Sequence, residues 1–422
     1  QPQESETLTL SFKVREMASY DWSDANKNGS AVYEMDEGAY TVRLMRDAHN
    51  EIDSVDYTAE EDFIYDTDSS TGNPVENRFD QISEYIPSYD KYMTRGDWSG
   101  TFPTTDYKLT AEEWIIEGLH EWDRNGEYAR TPEDDESEPW YTTDMPATGE
   151  DNGIMLTDLV GLEYDDPMWE DFLDQLTYDQ LVRLACDGNY NSGQNWADLG
   201  ITRVPNADGP AGFIYGAPSG TYSFWCCDTV LASTYNTDLA YEKGRAMGNE
   251  ALWGNGSNNS RIGGWYAPAV NIHRSPFSGR NFEYYSEDGY LSGMMSAYVV
   301  RGAQDKGLFC YVKHFGVNDQ ETNRCGLMTW ASEQAMREIY LRPFELCVKV
   351  GETMGIMSSL NRFGPRWAGG SYELLLDSSW KKFGGTREEL HKICEAENIP
   401  SGQRETSFSY DLSGYEAAIF SF

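Results

Sequence analysis

Apolar and polar residues alternate through the first part of the chain. The alternation is clearest in two stretches, Leu8-Thr-Leu-Ser-Phe12 and Tyr40-Thr-Val-Arg-Leu44. A period of two is typical of strands that bury one face. Turn residues at 28–29 and 37–38, each ending in glycine, separate such strands. The pattern predicts a small antiparallel β domain over residues 1–70.

A different pattern begins near residue 151, where amphipathic helices alternate with short apolar strands. Thr177 and Gln180 have the spacing of a capping box at the start of one helix. Apolar runs at 201–204, 264–270, 307–312 and 355–357 predict the strands, and polar residues follow each run. This alternation is typical of a parallel α/β fold, in which ligand groups gather where the strands end.

Two segments lack both patterns. Residues 71–150 combine proline, glycine and threonine with many acids, and predict an acidic extended connector with one capped helix near 110–113. Its acidic run at 133–138 is interpreted as a solvated loop. The α/β pattern of residues 151–375 is lost in 376–422, which we interpret as an atypical tail.

The densest polar cluster follows the apolar run 307–312. The string Lys313-His-Phe-Gly-Val-Asn-Asp-Gln-Glu-Thr-Asn-Arg324 places a cation, an imidazole, amides and carboxylates at a strand end. The cluster favours a site for a polar ligand. The structural alternative is that Lys313 pairs with Glu321 and that His314 only contributes to packing.

The net charge of −39 is distributed unevenly. Residues 1–180 hold 45 acidic and 11 basic residues, whereas residues 181–422 hold 26 acidic and 21 basic residues. So acidic a chain is repelled by nucleic acid and by anionic lipid headgroups, which argues against both as partners. The sequence shows neither a membrane-spanning apolar segment nor a signal-peptide pattern, so we expect a cytoplasmic location.

Cysteine and histidine spacing predicts no metal or other cofactor. The seven cysteines form no C-x-x-C pair and are predicted to be reduced core thiols; they are residues 186, 226, 227, 310, 325, 347 and 394. His273, His314 and His391 lack companions at ligand spacing.

The string 24–29 resembles the start of a calcium loop, but Met35 occupies its twelfth position, so a hairpin turn is favoured. The glycines of 244–248 are predicted to serve helix packing.

Five short strings of the α/β region occur in an order and spacing that resemble those of a known family. They are Asp208-Gly-Pro-Ala-Gly, Pro268-Ala-Val-Asn-Ile-His-Arg-Ser-Pro, Gly279-Arg-Asn-Phe-Glu-Tyr-Tyr-Ser-Glu-Asp288, Lys313-His-Phe and Met357-Ser-Ser-Leu-Asn-Arg362. Their order and spacing resemble those of glycoside hydrolase family 3, the β-glucosidase family. The resemblance covers roughly residues 150–375 and implies a TIM barrel of the (β/α)8 type, incomplete at its C-terminal end.

The same resemblance implies roles for single residues. Asp208 would accept hydrogen bonds from two sugar hydroxyls, Arg280, Lys313 and His314 would hydrogen-bond to others, and Met357 would line the pocket. The expected ligands are β-linked gluco- or xylo-oligosaccharides. Taken singly, Asp208 could be a turn residue and Arg280 only the partner of Glu283.

The first segment also resembles a domain of that family. Residues 4–70 look like the later part of a fibronectin-type-III-like β-sandwich. Its position before the barrel resembles the subgroup in which the domain order is permuted. The resemblance implies that the chain is incomplete at both ends.

The catalytic carboxylates of the family are not recognisable in this chain. A retaining glycosidase needs two carboxyl groups about 5 to 5.5 Å apart. The family's nucleophile lies in a Val-x-Ser/Thr-Asp-Trp/Tyr string, which is absent here; Asp377 and Asp411 do not fit it. The acid/base is usually carried by a further domain. One hypothesis for the absence is that a shifted reading frame replaces the last ~45 residues.

Three functions remain open from the sequence. The first is a β-glucosidase that cleaves terminal β-D-glucosyl or β-xylosyl residues with retention. The second is a sugar-binding remnant without hydrolytic activity. The third is an assembly fragment, which forms an oligomer or needs a complementary chain to close its barrel.

Overall fold

Strands form in two separate parts of the molecule. The computed structural model describes residues 12–47, 49–69, 72–79, 148–163, 165–187, 195–217, 222–254, 261–364, 366–371, 374, 407–412 and 415–420. By their contacts, the residues fall into two compact units. One comprises Gln1–Pro87 with Ala331–Glu338, and the other comprises Ser88–Trp330 with Ile339–Phe422.

The first unit is built from antiparallel strands, as the alternating pattern predicts. Strands β1, β2 and β5 form one sheet in the order β1-β2-β5, and β3 and β4 form a separate two-stranded ribbon. The bounds are β1 Ser19–Tyr20, β2 Tyr33–Met35, β3 Gly38–Met45, β4 Glu51–Ala59 and β5 Phe63–Tyr65. The predicted strand around Leu8 and Leu10 lies outside the described residues.

A segment from much later in the sequence completes this unit. The fully buried carboxylate of Glu333 accepts hydrogen bonds from the backbone N–H groups of Arg78, at 3.0 Å, and Phe79, at 2.6 Å. Arg337 Nε donates to the same carboxylate at 2.7 Å, and its guanidinium lies over the ring of Tyr20. A buried carboxylate needs such donors to offset its lost hydration. The sequence pattern gives no sign of this long-range clamp.

The second unit contains a six-stranded sheet in the order β13-β14-β10-β8-β7-β6. All its pairs are parallel except the β13–β14 hairpin. The strands are β6 Asn206–Asp208, β7 Gly264–Tyr266, β8 Phe309–Phe315, β10 Gly355–Ser358, β13 Ser407–Leu412 and β14 Tyr415–Phe420. The short strands β9 Met328–Thr329, β11 Arg362–Phe363 and β12 Arg366–Trp367 form a small second sheet. The parallel α/β prediction is confirmed.

Helices accompany these strands. Those of the second unit are α1 Met168–Asp174, α2 Tyr178–Asp187, α3 Asp228–Ala232, α4 Thr237–Trp253, α5 Gly289–Gln304 and α7 Arg342–Lys349, whereas the short helix α6 Glu333–Ala335 belongs to the first unit. The predicted capping box at the start of α2 is present, since Thr177 N–H donates to Gln180 Oε1 at 2.8 Å and Gln180 N–H donates to Thr177 Oγ1 at 3.3 Å. Within the described part of the chain, no helix combines the length and the apolar character needed to cross a membrane.

Glycine brings α4 and α5 unusually close. A Cβ atom on Gly244 would lie 2.1 Å from the carbonyl oxygen of Val299, and one on Gly302 would lie 2.1 Å from that of Tyr241. Both distances are far inside van der Waals contact. The prediction that the glycines of 244–248 serve helix packing is therefore confirmed.

Strand limits at 201–204 and at 264–270 differ from the sequence prediction. The apolar run 201–204 is not a sheet strand: Ile201 makes only a bridge to Trp196, and β6 begins at Asn206. Ile201 packs instead into a cluster with Leu199 and Phe172. Strand β7 ends at Tyr266, before Pro268, because proline has no N–H for the ladder.

The cysteine prediction is wrong for two residues. Cys310 and Cys347 are buried, but Cys226 and Cys325 are exposed. All the described thiols are free. The prediction of burial failed because Cys226 and Cys325 lie in loops, where neighbouring apolar residues do not enclose them. The predicted helix at 110–113, the acidic run 133–138 and His391 lie outside the described residues.

Candidate functional site

The parallel strands of the second unit end at one edge of the sheet, and this edge gathers the polar residues. Asp208 is the last residue of β6, and Lys313 and His314 belong to β8. The sequence placed these two residues after the strand, whereas β8 continues to Phe315. Met357 of β10 lies opposite Lys313 in the strand pairing.

Lys313 lies at the centre of the site. Its ammonium group lies 2.5 Å from Asp208 Oδ1 and 3.6 Å from Glu283 Oε2. The side chain is only 1% exposed. The sequence alternative that Lys313 pairs with Glu321 is wrong, because two nearer carboxylates compensate its charge.

Arg280 links Lys313 to a second group of charges. Its Nε donates to Glu283, which therefore touches both cations, and its Nη1 lies 3.7 Å from Glu321. Glu321 also pairs with Arg324 at 2.9 Å. The pKa of the Arg280 guanidinium is raised: burial lowers it, but the charge of Glu283 and the hydrogen bond to it outweigh that effect. The Arg280 guanidinium therefore stays charged in the site.

His314 is held in a neutral state against Asn271. Its backbone N–H donates to Asn271 Oδ1 at 2.9 Å, and Asn271 Nδ2 donates to the His314 carbonyl at 3.0 Å. Burial lowers the pKa of His314 well below its usual value, and the nearby charges of Arg280, Lys313 and Arg324 lower it further. A neutral imidazole can both donate and accept a hydrogen bond.

Asp208 is the exposed member of the group. Its side chain remains 32% exposed, in contrast to Lys313. A tight turn follows it: Gly209 has φ +120°, and a Cβ there would lie 2.0 Å from the carbonyl oxygen of Gly212. Backbone hydrogen bonds from Asp208 to Tyr215 and from Ile214 to Asp208 close the turn. The Asp-Gly-Pro string is thus a turn, and the turn presents the carboxylate to solvent.

The structure adds contacts of residues to which the sequence analysis assigned no binding role. Glu283 is 3% exposed and couples Lys313 with Arg280. Asn271 holds His314, and Asn318 donates to Glu321 at 2.8 Å. Glu283 and Asn271 occur inside the recognised strings, so the strings contained the signal. Their contacts depend on residues 30 to 43 positions away, as in Lys313–Glu283 and His314–Asn271.

The structure leaves the catalytic carboxylates unassigned. Asp377 lies outside the described residues, and the backbone of Asp411 belongs to β13. Over the described part of the chain, no group of three or more histidine, cysteine, aspartate or glutamate side chains could hold a metal ion. In the loop that resembles a calcium site, Asn26 and Asn28 donate to Glu34 at 2.6 and 2.5 Å.

The assembled groups define the chemistry of this edge. An exposed carboxylate accepts hydrogen bonds, and a buried lysine, a guanidinium and a neutral imidazole can donate them. The charges compensate one another, as the Asp208–Lys313 and Arg280–Glu283 pairs show. Such a site suits a neutral ligand with many hydroxyl groups better than an ion.

Comparison with known proteins points to one family. Residues 223–385 match the family model described as the glycosyl hydrolase family 3 N terminal domain. Beta-glucosidase A of Butyrivibrio fibrisolvens is 33% identical over 369 residues, which is 83% of this chain and 40% of that protein. The beta-glucosidase of Ruminococcus albus is 29% identical over 397 residues, 90% of this chain and 37% of that protein.

A solved structure agrees with these relatives. The beta-glucosidase of Paenibacillus barengoltzii superposes with a TM-score of 0.58 at 26% identity, covering 87% of this chain and 38% of its own. The chain thus spans about two fifths of the length of these relatives. The family model covers the strings that contain Arg280, Lys313 and Met357, whereas Asp208 precedes the matched residues. The chain belongs to glycosyl hydrolase family 3.

Proposed function

We propose that this chain is the sugar-binding part of a β-glucosidase. The observation that carries the proposal is the contact of Lys313 with both Asp208 and Glu283, because it presents a carboxylate at the mouth of a buried charge network. Three relatives named beta-glucosidases support the substrate class.

The geometry suggests how a glucosyl ring is held. Asp208 accepts hydrogen bonds from two neighbouring hydroxyl groups, while Lys313 and Arg280 donate to hydroxyl oxygens. Neutral His314 exchanges a hydrogen bond with a further hydroxyl, and Met357 provides an apolar wall. Hydrogen bonds that involve a charged group are the stronger ones, so a small ring can be oriented without a large apolar surface.

The proposal extends to the complete fold. The parallel strands belong to a (β/α)8 barrel, and residues 1–70 belong to a fibronectin-type-III-like domain. Hydrolysis proceeds with retention through a glycosyl-enzyme intermediate. The catalytic carboxylates come from outside the described residues or from a complementary chain. The xylosyl substrate, the oligomer and the cytoplasmic location stay predictions from the sequence.

The second candidate is sugar binding without hydrolysis. It is favoured by the contrast within this site: the binding groups are assembled, whereas no nucleophile is assigned among the described residues. A ligand that binds only the native state raises its stability. Stabilisation by glucose without turnover would therefore identify this case.

The test combines binding with turnover in the full chain. Glucose affinity is measured by calorimetry, and release of p-nitrophenol is measured from the aryl β-glucoside and β-xyloside. Asp208→Asn keeps the size of the side chain but removes its charge, and we expect at least a tenfold loss of affinity. Asp198→Asn, at an exposed position, is the matched control and should change affinity less than twofold.

Each outcome of that test assigns a function. Turnover that Asp208→Asn abolishes establishes the β-glucosidase. Binding without turnover establishes the non-hydrolytic reading. If neither glucose nor the aryl glycosides bind, or if Asp208→Asn leaves affinity unchanged, the proposed sugar site is wrong.

A further inference from the structure

A short 3₁₀ turn, Asn281–Glu283, follows Arg280 directly and has Glu283 as its last residue. Its internal hydrogen bonds are few: Glu283 N–H donates to the Arg280 carbonyl at 3.0 Å, and Tyr284 N–H donates to the Asn281 carbonyl at 3.2 Å. A turn of this length has little stability of its own. Its position therefore depends on contacts from outside.

One side chain of a separate helix supplies such contacts. Thr229 Oγ1 lies 2.9 Å from the Tyr284 carbonyl oxygen and 3.3 Å from the Asn281 carbonyl oxygen. The hydroxyl group can donate its single proton to either carbonyl oxygen. Both carbonyls belong to the ends of the turn, so one hydroxyl group spans it. The contact joins positions 52 and 55 residues apart in the sequence.

The helix that carries Thr229 is itself fixed. Asp228, the first residue of α3, pairs with Lys243 of α4 at 2.5 Å, and the two side chains are 1% and 4% exposed. Leu231 and Ala232 of α3 are also buried. Because α3 is anchored to α4, the hydroxyl of Thr229 is a fixed point rather than a mobile contact.

We propose that Thr229 is a positioning residue of the sugar site: it holds the turn Asn281–Glu283 so that Arg280 and Glu283 reach Lys313. Thr229 does not touch the ligand. Its effect on sugar affinity rests on the proposed function, whereas its effect on the turn does not.

Two substitutions separate the hydroxyl from the shape of the side chain. Thr229→Val keeps the shape and removes the donor, and Thr229→Ser keeps the donor. Thr234→Val is the control, because Thr234 Oγ1 donates to the Leu231 carbonyl at 2.7 Å within the same region and has no hydrogen bond to the turn among those of the described residues. All variants are made in the full chain.

Hydrogen–deuterium exchange of the peptide covering residues 280–285 is the first measurement. We expect Thr229→Val to raise exchange of the Glu283 and Tyr284 amides about tenfold, and Thr229→Ser to return it to within about twofold of the unchanged chain. Thr234→Val should leave this peptide unchanged. Equal exchange in Thr229→Val and the unchanged chain would overturn the proposal, and so would an equal increase in Thr234→Val.

Glucose affinity is the second measurement. Thr229→Val should weaken binding about tenfold, and Thr229→Ser should restore it. In a Glu283→Gln background, Thr229→Val should cause no further loss, because the two residues act through one turn. Full additivity would overturn the positioning role. If the unchanged chain binds no glucose, the proposed function fails, and the exchange experiment still decides the role of Thr229.

Discussion

The ammonium group of Lys313 lies 2.5 Å from the carboxylate of Asp208, although their strands are not neighbours in the sheet. Strand β7 lies between β6 and β8. The contact is made where β7 has already ended at Tyr266, so the lysine crosses the edge of the sheet. This arrangement brings residues 105 positions apart in the sequence into one site.

The buried pair of Asp228 and Lys243 makes a prediction about stability. Lys243→Met leaves a carboxylate in the interior without its partner, and we expect a loss of about 3–5 kcal/mol of unfolding free energy. Burial already raises the pKa of Asp228, and the charge of Glu283 raises it further. Urea denaturation measures the loss.

Two further variants control that experiment. Asp228→Asn combined with Lys243→Met removes both charges and should be less destabilising than Lys243→Met alone. Lys349→Met removes a partly exposed lysine that pairs with Glu345, and should cost no more than about 1 kcal/mol. Equal losses for the two lysine variants would contradict the burial argument.

Close packing of α4 on α5 predicts that alanine is harmful at Gly244. Replacement of a helix-interior glycine by alanine ordinarily stabilises by roughly 1 kcal/mol. At Gly244 the added Cβ would meet the Val299 carbonyl oxygen at 2.1 Å, so we expect a lower melting temperature instead. Gly326→Ala, with its nearest atom at 3.8 Å, should leave the melting temperature nearly unchanged.

His314 predicts a pH dependence of stability. Its pKa in the folded chain is lowered well below the usual value, so the unfolded chain binds more protons in the interval between the two pKa values. Stability from this group is therefore present above about pH 6.5 and is lost as the pH falls below it, by up to about 1.4 kcal/mol per pH unit.

The measurement compares the unchanged chain with His314→Gln. The free energy of unfolding is determined by urea denaturation at intervals between pH 5 and 7.5, values chosen around the usual histidine pKa of about 6.5. We expect the difference between the two chains to shrink as the pH falls. A constant difference across this range would show that His314 is protonated equally in both states.

Thiol exposure predicts which cysteines react in the native chain. Cys226 and Cys325 are exposed and should be alkylated by iodoacetamide within minutes to hours. Cys310 and Cys347 are buried; burial raises the pKa of both, that of Cys347 to about 12. They should react only after denaturation, which peptide mass mapping can establish. Equal labelling of Cys347 and Cys325 in the native state would refute the burial.

Local patterns were sufficient for some elements and not for others. The capping box of Thr177 and the alternation around Val42 depend on neighbours within a few residues, so the sequence predicts α2 and β3 correctly. The strand predicted at 201–204 failed because a short apolar run fits a loop in a hydrophobic cluster equally well. No periodic signal separates the two cases.

The site shows the same division. Asp208, Arg280, Lys313, His314 and Met357 were all singled out, because their strings resemble those of a family. The sequence did not predict which cation pairs with which carboxylate. Lys313 pairs across the sheet edge with Asp208 rather than with nearby Glu321. Thr229 could not be found from the sequence, since its partners are carbonyl groups, which every residue carries.

The clamp of Glu333 on Arg78 and Phe79 has a consequence for biosynthesis. The hydrogen bond from Arg78 joins residues 255 positions apart. At roughly 5–20 residues per second, the ribosome needs about 13–50 seconds to make that stretch. The first unit therefore cannot form its hydrogen bonds to the buried carboxylate until most of the second unit has been synthesised.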